Sequence, residues 1–470
     1  MAGRYDPCER ERVEPAKLPG EVDEGIRVHP DVGLVLATPG PRSHFFGYYD
    51  KTPFDEEERR LLCHSVAFDG RMVASGDRSE IGLWDLDNSS YTALSETAAF
   101  NWQQGSLLQW LPGSHGSRVV FNDRLPGRFA GVCIDVEKGT RTLLPGTVYA
   151  LTPDGRWSVS PRFERLYYTP GYHYEGLALD EWRGRLPPGD ALLRMDLHTG
   201  ALEPIVEVAH LAGHRATLSM AGACHYVDHV WVAPTGLEMI FLHRWKADDE
   251  QPFTRLYRCN LDGTELCLYP DSGRYSHATW LDPDRFLIWG RPLAAYARLR
   301  RSGGAGRWLL RPLLALWRRH SKRSAWRKLA HQVSGDGFLI FGSDPKAAQA
   351  LAPMVLIQDG HPCACPVSGD WLLLDTYPDQ EDYQHLLLYH VPSEQLVELA
   401  RVYVPRSFQD TGFRCDLHPR WSPSGRLVCI DALCRAQRQM MVLDVSALVD
   451  RAGHGTQRRI PVGGRQQAGN

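Results

Sequence analysis

The sequence predicts an all-β fold, a seven-bladed β-propeller with a short basic helical insertion in its fifth blade. Three observations lead to this prediction. One phrase, a turn followed by an apolar run, recurs along the chain. The stretches between the repeats are short runs rich in Val, Leu, Ile and aromatic residues, as is typical of strands. One basic stretch alone has the apolar spacing of a helix.

The repeated phrase is clearest in the second half of the chain. Four units carry a histidine ahead of the turn: DHVWVAPTGLEMIFLHRW from Asp228, SHATWLDPDRFLIWG from Ser276, GHPCACPVSGDWLLLDTYPD from Gly360 and LHPRWSPSGRLVCIDAL from Leu417. Three earlier units, from Tyr48, Gln104 and Val148, keep the turn and the apolar run without that histidine. The seven turns contain Pro53, Pro112, Pro153, Pro234, Pro283, Pro366 and Pro423. Seven copies of one phrase indicate a repeat architecture.

Each turn is followed by further strand-like segments that end in a hairpin. Runs such as RVVFND, GVCIDV, LLRMDL and QMMVLDV have strand composition, and phrases such as DVEKGTRTLL and DLHTGALEPI are typical of outer hairpins. A unit of inner strand, turn, apolar strand and outer hairpin is a propeller blade. A large double β-sandwich is the alternative, but it would not repeat one phrase seven times.

The chain is therefore divided into a propeller and its appendages. Residues 41–450 are predicted to form the seven blades, 1–40 an N-terminal extension and 451–470 a flexible C-terminal tail. Residues 292–335 are rich in Arg and Lys and have a helical apolar spacing, which predicts the insertion. The insertion either packs on its blade with a solvated basic face or contacts a membrane surface or an acidic partner.

Composition excludes several classes of function. The net charge of -3 gives no general attraction to nucleic acid, and no apolar run is long enough for a transmembrane helix. The N-terminal residues lack the apolar core of a secretory signal, and the 11 cysteines lack the paired spacing of a structural zinc site, so the cytoplasm is the expected compartment. No nucleophile elbow or phosphate-binding glycine motif occurs in a suitable context.

The four repeated histidines are the first candidate functional residues. His229, His277, His361 and His418 occupy nearly the same position relative to the turn, so they are expected to converge at the mouth of the central channel. Neutral imidazoles brought together bind a divalent metal, whereas protonated ones favour an anion. Gln358, three residues before His361, and the neighbours His243 and Arg244 strengthen the prediction of a charged ligand.

Other polar and aromatic residues suit a sugar-binding rim. HFFGYYDKTP and NWQQGS mix aromatic residues with amides and charges at the start of units one and two, and arginines bind carboxylates as planar forks. The predicted substrate-binding residues are His44, Tyr49, Asp50, Gln104, Arg291 and Arg420. The competing interpretation is that the aromatics lie in the core and the arginines on the surface.

The phrases DGHPCACPVSGDWLLLDTYPD, HPRWSPSGRLVCIDA and FLHRW resemble the oligogalacturonate lyases and, more generally, the TolB-like propellers, along all seven units. The resemblance implies a seven-bladed propeller that binds manganese in its central funnel. It also implies cleavage of uronate chains, acidic oligosaccharides, by β-elimination with a histidine base. These properties are expectations for this chain.

The resemblance also assigns residues. Gln358 and His361 match a glutamine and a histidine that hold the metal, His277 matches the metal histidine one blade earlier, and His229 matches the base. The chain departs from the family at Cys363, where the pattern has a further metal histidine, and His418 is the candidate replacement. Arg244 and Arg215 are candidates for the catalytic arginine, and His243 or Arg244 would stabilise the substrate carboxylate.

The prediction is a metal-dependent polysaccharide lyase with manganese as cofactor. Two alternatives remain open: a metal-dependent hydrolase that activates water, and a non-catalytic glycan- or protein-binding platform of a polysaccharide pathway.

Overall fold

The chain forms a closed ring of seven β-sheets. The computed structural model describes residues 21–23, 25–169, 171–246, 252–271, 274–291 and 336–453. The predicted basic insertion, 292–335, and residues 454–470 of the predicted tail lie outside the described residues.

The strands and helices follow the predicted order. Three strands precede the first blade: β1 (Glu21–Asp23), β2 (Ile26–Val28) and β3 (Gly33–Ala37). Blade one contains β4 (Ser43–Phe45), β5 (Arg60–Val66), β6 (Ser79–Asp85) and β7 (Ser90–Thr97). Blade two contains β8 (Gln109–Trp110), β9 (Arg118–Leu125), β10 (Arg128–Asp135) and β11 (Arg141–Leu143). Blade three contains β12 (Ala150–Leu151), β13 (Trp157–Ser160), β14 (Ala191–Asp196) and β15 (Leu202–Glu207).

The second half of the chain continues the pattern. Blade four contains β16 (Cys224–Val232), β17 (Glu238–Lys246), β18 (Phe253–Asn260) and β19 (Cys267–Leu268). Blade five contains β20 (Tyr275–Trp280), β21 (Phe286–Gly290), β22 (Gly337–Phe341) and β23 (Gln349–Leu351). Blade six contains β24 (Cys363–Ala364), β25 (Trp371–Asp375), β26 (Tyr383–His390) and β27 (Gln395–Tyr403). Blade seven contains β28 (Arg420–Trp421), β29 (Leu427–Cys434) and β30 (Gln437–Asp444).

Helical structure is minor in the described part of the chain. The helices are α1 (Val208–Gly213) and α2 (Ser446–Gly453), with 3-10 turns at Phe163–Tyr168, Asp180–Trp182 and Leu218–Met220. None of these described helices has the length and apolar character needed to cross a bilayer.

The prediction of an all-β, seven-bladed propeller is confirmed. Every one of the seven predicted turns lies between the first and second strand of a blade. In several of them the glycine closes the turn in the left-handed region: Gly155 (φ +68°) donates its N–H to Thr152 O and Gly425 (φ +70°) donates to Ser422 O. This requirement explains the recurring glycine after the proline.

The N-terminal residues close the ring. β3 pairs antiparallel with β30 and is the fourth strand of blade seven, while β2 pairs with β27 and extends blade six, followed by β1. The predicted N-terminal extension, 1–40, therefore includes three strands that belong to the last two blades. Blade seven is thus built from both ends of the chain, which ties the first blade to the last.

The core lies between neighbouring blades rather than at the axis. Apolar side chains on facing sheets pack against each other, as at Ile81 and Phe121 between blades one and two and at Leu373 and Ile430 between blades six and seven. The axis, in contrast, is lined by polar and aromatic residues from the innermost strands. This division places the candidate site in the channel.

Candidate functional site

Four histidines from blades four to seven meet at the axis. The imidazole centroids of His229 and His277 are 6.0 Å apart, those of His277 and His361 4.2 Å, and those of His361 and His418 4.3 Å. All four side chains are buried, with at most 6% of their surface exposed. We call this set the histidine ring.

Irregular backbone places these side chains. His229 lies in a β-bulge of β16, where Asp228 pairs with Leu242 and Val230 with Phe241, and its φ is +53°. His418 has a φ of +43°. Bulges and left-handed non-glycine residues are costly, and they are concentrated where a side chain must be turned toward a site.

Two tyrosines fill the space inside the ring. The Tyr48 ring lies 5.5 Å from His229 and 5.3 Å from His418, centroid to centroid. Tyr49 lies 5.1 Å from His361, and its hydroxyl donates to Ala278 O at 2.8 Å and accepts from Ala278 N at 2.9 Å. The predicted rim residue Tyr49 is thus a buried part of the inner wall.

Carboxylates lie behind three of the four imidazoles. Asp228 Oδ1 is 2.9 Å from His229 Nδ1, and Asp359 Oδ1 is 3.2 Å from His277 Nδ1. Both Asp375 oxygens lie 2.9 Å from His361 Nδ1. Each of these contacts occupies the Nδ1 side of a ring histidine and leaves its Nε2 atom for another partner.

Three of the four histidines have no hydrogen-bond partner at Nε2 within the described residues. His229, His361 and His418 each have a buried Nε2 atom without a hydrogen bond to any described group. Burial, followed by the positive charge of the neighbouring histidine, lowers the pKa of His361 and His418 well below the usual value. These imidazoles are neutral near pH 7 and offer lone pairs, which suits a cation rather than an anion.

Asp416 completes a metal-binding set with two of these histidines. The ligand atoms of His361, Asp416 and His418 lie within 4.8 Å of one another. Two imidazoles and one carboxylate suit a first-row divalent ion. The orphaned Nε2 atoms and this donor set therefore fit the manganese site that the sequence resemblance implies.

Two arginines border the ring and are more exposed than the histidines. Arg244 Nε on β17 donates to Asp228 Oδ1 at 2.8 Å, and Arg414 Nε donates to Asp416 Oδ2 at 2.8 Å. Their side chains are 16% and 25% exposed. The two guanidinium groups bring positive charge to the mouth of the site, where a carboxylate ligand would be neutralised.

Comparisons with known proteins agree with this architecture. No family model matches the sequence, and a search of curated proteins finds no match. Among solved structures, the chain is similar to an oligogalacturonate lyase in complex with manganese, at 15% identity and a TM-score of 0.56 over 91% of this chain and 96% of that one. An oligogalacturonate lyase from Vibrio parahaemolyticus has 12% identity and a TM-score of 0.55, over 90% and 96%. The chain shares its fold with the oligogalacturonate lyases.

TolB from Acinetobacter baumannii is a weaker likeness, with 12% identity and a TM-score of 0.36 over 80% of this chain and 78% of that one. The expected resemblance to the oligogalacturonate lyases is confirmed at the level of the fold. Identities this low show a common fold, whereas activity depends on the site itself.

The predicted ligand Gln358 is exposed, whereas the histidines of the ring are buried. The next residue, Asp359, makes the contact to His277. Cys363, which stands where the lyase pattern has a second metal histidine, is on β24, and burial raises the pKa of its thiol to about 12. Cys363 packs against the apolar cluster between blades six and seven, whereas Asp416 lies with His361 and His418 in the candidate donor set. The Asp-x-His spacing of Asp416 and His418 is visible in the sequence and would have identified it.

His243 also lies outside the ring. Successive side chains of a strand point to opposite faces, so when Arg244 contacts Asp228 its neighbour His243 faces the other side of blade four. There His243 Nε2 is 3.0 Å from His225 Nδ1, and its ring lies 5.5 Å from that of Trp245. The predicted catalytic pair His243 and Arg244 is thus divided between two environments.

The remaining predicted substrate-binding residues make internal contacts. His44 Nδ1 is 3.2 Å from Gln439 Oε1, between blades one and seven. Gln104 Nε2 donates to Tyr149 OH at 2.9 Å, and Asp50 pairs with Lys51 at 2.9 Å, both next to the axis.

The two predicted arginine forks have carboxylate partners of their own. Arg291 forms a two-bond pair with Asp336, at 2.5 and 2.8 Å, beside the limits of the segment 292–335. Arg420 is fully buried and binds both oxygens of Asp431. Arg244 and Arg414 are the partly exposed arginines beside the ring.

Proposed function

We propose that this propeller is a metal-dependent lyase that cleaves uronate-containing oligosaccharides by β-elimination. One observation carries the proposal: neutral, buried imidazoles with unpartnered Nε2 atoms converge beside two arginines at the axis of a lyase-type fold. The set combines a base, a cation site and carboxylate-binding charge.

His361, His418 and Asp416 would hold the divalent ion, with His277 adjacent to His361. When bound, the ion supplies Lewis-acid neutralisation of a uronate carboxylate, which acidifies the proton on C5 of the sugar. Manganese is the ion that the fold relative suggests.

His229 is the proposed base. Burial lowers its pKa, against the contrary effect of Asp228, so that the imidazole is neutral and able to accept a proton. Asp228 itself stays ionised: although burial favours its neutral form, Arg244 and His229 lower its pKa. The Asp228 carboxylate lies 2.9 Å from His229 Nδ1, and Nε2 is the atom that would take the substrate proton.

Arg244 and Arg414 bind and orient the uronate carboxylate. Each is held by a carboxylate at Nε and would bind the uronate carboxylate through its terminal nitrogens. In the elimination, His229 takes the C5 proton, the C5–H electron pair forms the C4=C5 double bond, and the C4–O4 bond breaks with the leaving oxygen taking its electron pair.

Access to His229 requires a local movement. Tyr172 packs 5.5 Å from His229 and 6.0 Å from Tyr48, centroid to centroid, and the histidine ring is almost completely covered. A sugar can therefore reach Nε2 of His229 only if the aromatic side chains packed around it, Tyr172 among them, move.

The decisive experiment measures ultraviolet absorbance of the C4=C5 product over a panel of uronate oligosaccharides with added Mn²⁺. We expect product with the wild type, none with His229→Gln, and neither product nor bound metal with His361→Ala. His115→Ala changes an exposed histidine on blade two and is the matched control. Reducing ends released without ultraviolet absorbance would indicate the hydrolase alternative. Binding without turnover would indicate the platform alternative and end the lyase proposal.

A further inference from the structure

Asp375 links the innermost segments of two blades at the histidine ring. It ends β25 in blade six and is 3% exposed. Its Oδ1 accepts the backbone N–H of His361 at 2.7 Å, and its Oδ2 accepts the backbone N–H of His418 at 3.0 Å. One carboxylate thus joins the two histidines of the candidate metal set through their main chains.

The same carboxylate determines which nitrogen of His361 faces the ring. Backbone N–H groups only donate, so each Asp375 oxygen already acts as an acceptor. An ionised Asp375 has no proton to donate, so with this carboxylate His361 Nδ1, 2.9 Å from both oxygens, is the donor in the contact. A neutral imidazole that carries its proton on Nδ1 has its lone pair on Nε2, which is the buried atom without a described partner.

The hydrogen bond to His418 has a second consequence. His418 has a left-handed backbone, with a φ of +43°, which a non-glycine residue keeps only when its surroundings hold it there. The bond from its N–H to Asp375 is one such constraint, and it acts directly at the strained residue.

We infer that Asp375 is a positioning residue that sets His361 and His418 with their Nε2 atoms toward one divalent cation. The inference rests on the proposed function, because it takes the ring to be a metal site. It adds a residue that does not touch the ion, and it explains why two histidines from different blades act as one unit. Such outer-shell carboxylates orient metal-binding imidazoles and maintain their tautomer.

The test compares Asp375→Asn with Asp55→Asn by calorimetric titration with Mn²⁺. Asp55 is the matched control: it is equally buried, accepts two backbone N–H groups, of Arg59 at 2.9 Å and Arg60 at 3.0 Å, and contacts no histidine. We expect Asp375→Asn to bind Mn²⁺ about 10- to 100-fold more weakly than the wild type, and Asp55→Asn to keep wild-type affinity.

A second measurement does not depend on the folding of Asp375→Asn. Nitrogen NMR of histidine-labelled wild type, with His361→Gln to assign the resonance, is expected to show His361 protonated at Nδ1 and not at Nε2. If Asp375 were itself protonated and donated to the imidazole, the tautomer would be reversed, and that result would overturn the inference.

The outcomes separate the two proposals. Wild-type protein that binds no Mn²⁺ would refute the metal premise and with it both proposals. A wild type and a folded Asp375→Asn of equal Mn²⁺ affinity would refute the role of Asp375 alone. Suppose that Asp375→Asn weakens Mn²⁺ binding but the wild type forms no unsaturated product. That result would support the positioning role of Asp375 and refute the lyase proposal.

Discussion

Replacing Arg420 by Met tests whether this residue binds substrate, as the sequence suggests, or holds the inner wall, as the structure indicates. The guanidinium is fully buried and donates to Asp431 Oδ1 at 3.1 Å and Oδ2 at 2.9 Å. It also donates to the carbonyls of Tyr48, at 3.2 Å, and Gly47. Arg420 therefore fixes the segment that carries the two tyrosines of the channel.

The expected effect is a large loss of stability. Arg420→Met leaves Asp431 as a buried carboxylate that keeps the backbone N–H groups of Phe46 (3.1 Å) and Gly47 (3.3 Å) but has lost its counter-charge. Breaking one half of a buried ion pair costs about 3 to 5 kcal/mol in the free energy of unfolding. Urea denaturation followed by circular dichroism measures this difference.

Two further variants make the reasoning testable. Removing both charges in Arg420→Met/Asp431→Asn should recover part of the loss, because no charge is then left buried without a partner and the amide oxygen can still accept a backbone N–H. Arg59→Met, at an exposed pair with Asp87, should leave stability unchanged. A loss below about 1 kcal/mol for Arg420→Met, together with a raised KM for a uronate substrate, would refute the structural role and restore the substrate-binding one.

Three other predictions concern different parts of the molecule. Cys363→Ser should keep wild-type Mn²⁺ affinity, because Cys363 packs against the apolar cluster between blades six and seven and lies outside the candidate donor set; a marked fall in affinity, measured by calorimetric titration, would make the thiol a ligand. Gly105→Ala should lower the free energy of unfolding in urea by about 1 to 3 kcal/mol, since the added Cβ would lie 2.3 Å from His64 Cε1 at a φ of +57°. Gly127→Ala is the control and should lower it less, because the space around Gly127 is open. Burial disfavours the charged form of His385, but its ion pairs with Glu398 and Asp379 outweigh this effect and raise its pKa. These ion pairs therefore stabilise the fold below the ordinary histidine pKa, and the stabilisation is lost as the pH rises through the raised pKa. His385→Gln should remove that part of the pH dependence of unfolding, and an unchanged profile would show that the pair contributes nothing.

The seven-fold repeat was predictable because a blade is a local structure. A turn with a fixed proline, a glycine at positive φ such as Gly155, and alternating apolar strands are encoded within one short segment, so each blade can be recognised by itself. The equivalence of positions in a repeat also predicts that His229, His277, His361 and His418 meet at the axis, and the structure brings them together. Periodicity carries that information without any knowledge of distant contacts.

What only the tertiary structure decides is what each polar residue contacts across blades. Arg414 and Arg420 look alike in the sequence, yet one lies at the mouth of the site and the other is buried against Asp431. The sequence likewise determined that Gln358 precedes His361 but not that Asp416, from the connection to blade seven, shares its environment. The closure of the propeller by β3 also depends on tertiary structure, because β3 pairs with residues about 400 positions away in the chain. Local patterns set the strands and turns, whereas ion pairs, metal donors and ring closure depend on which distant segments the folded chain brings within contact distance.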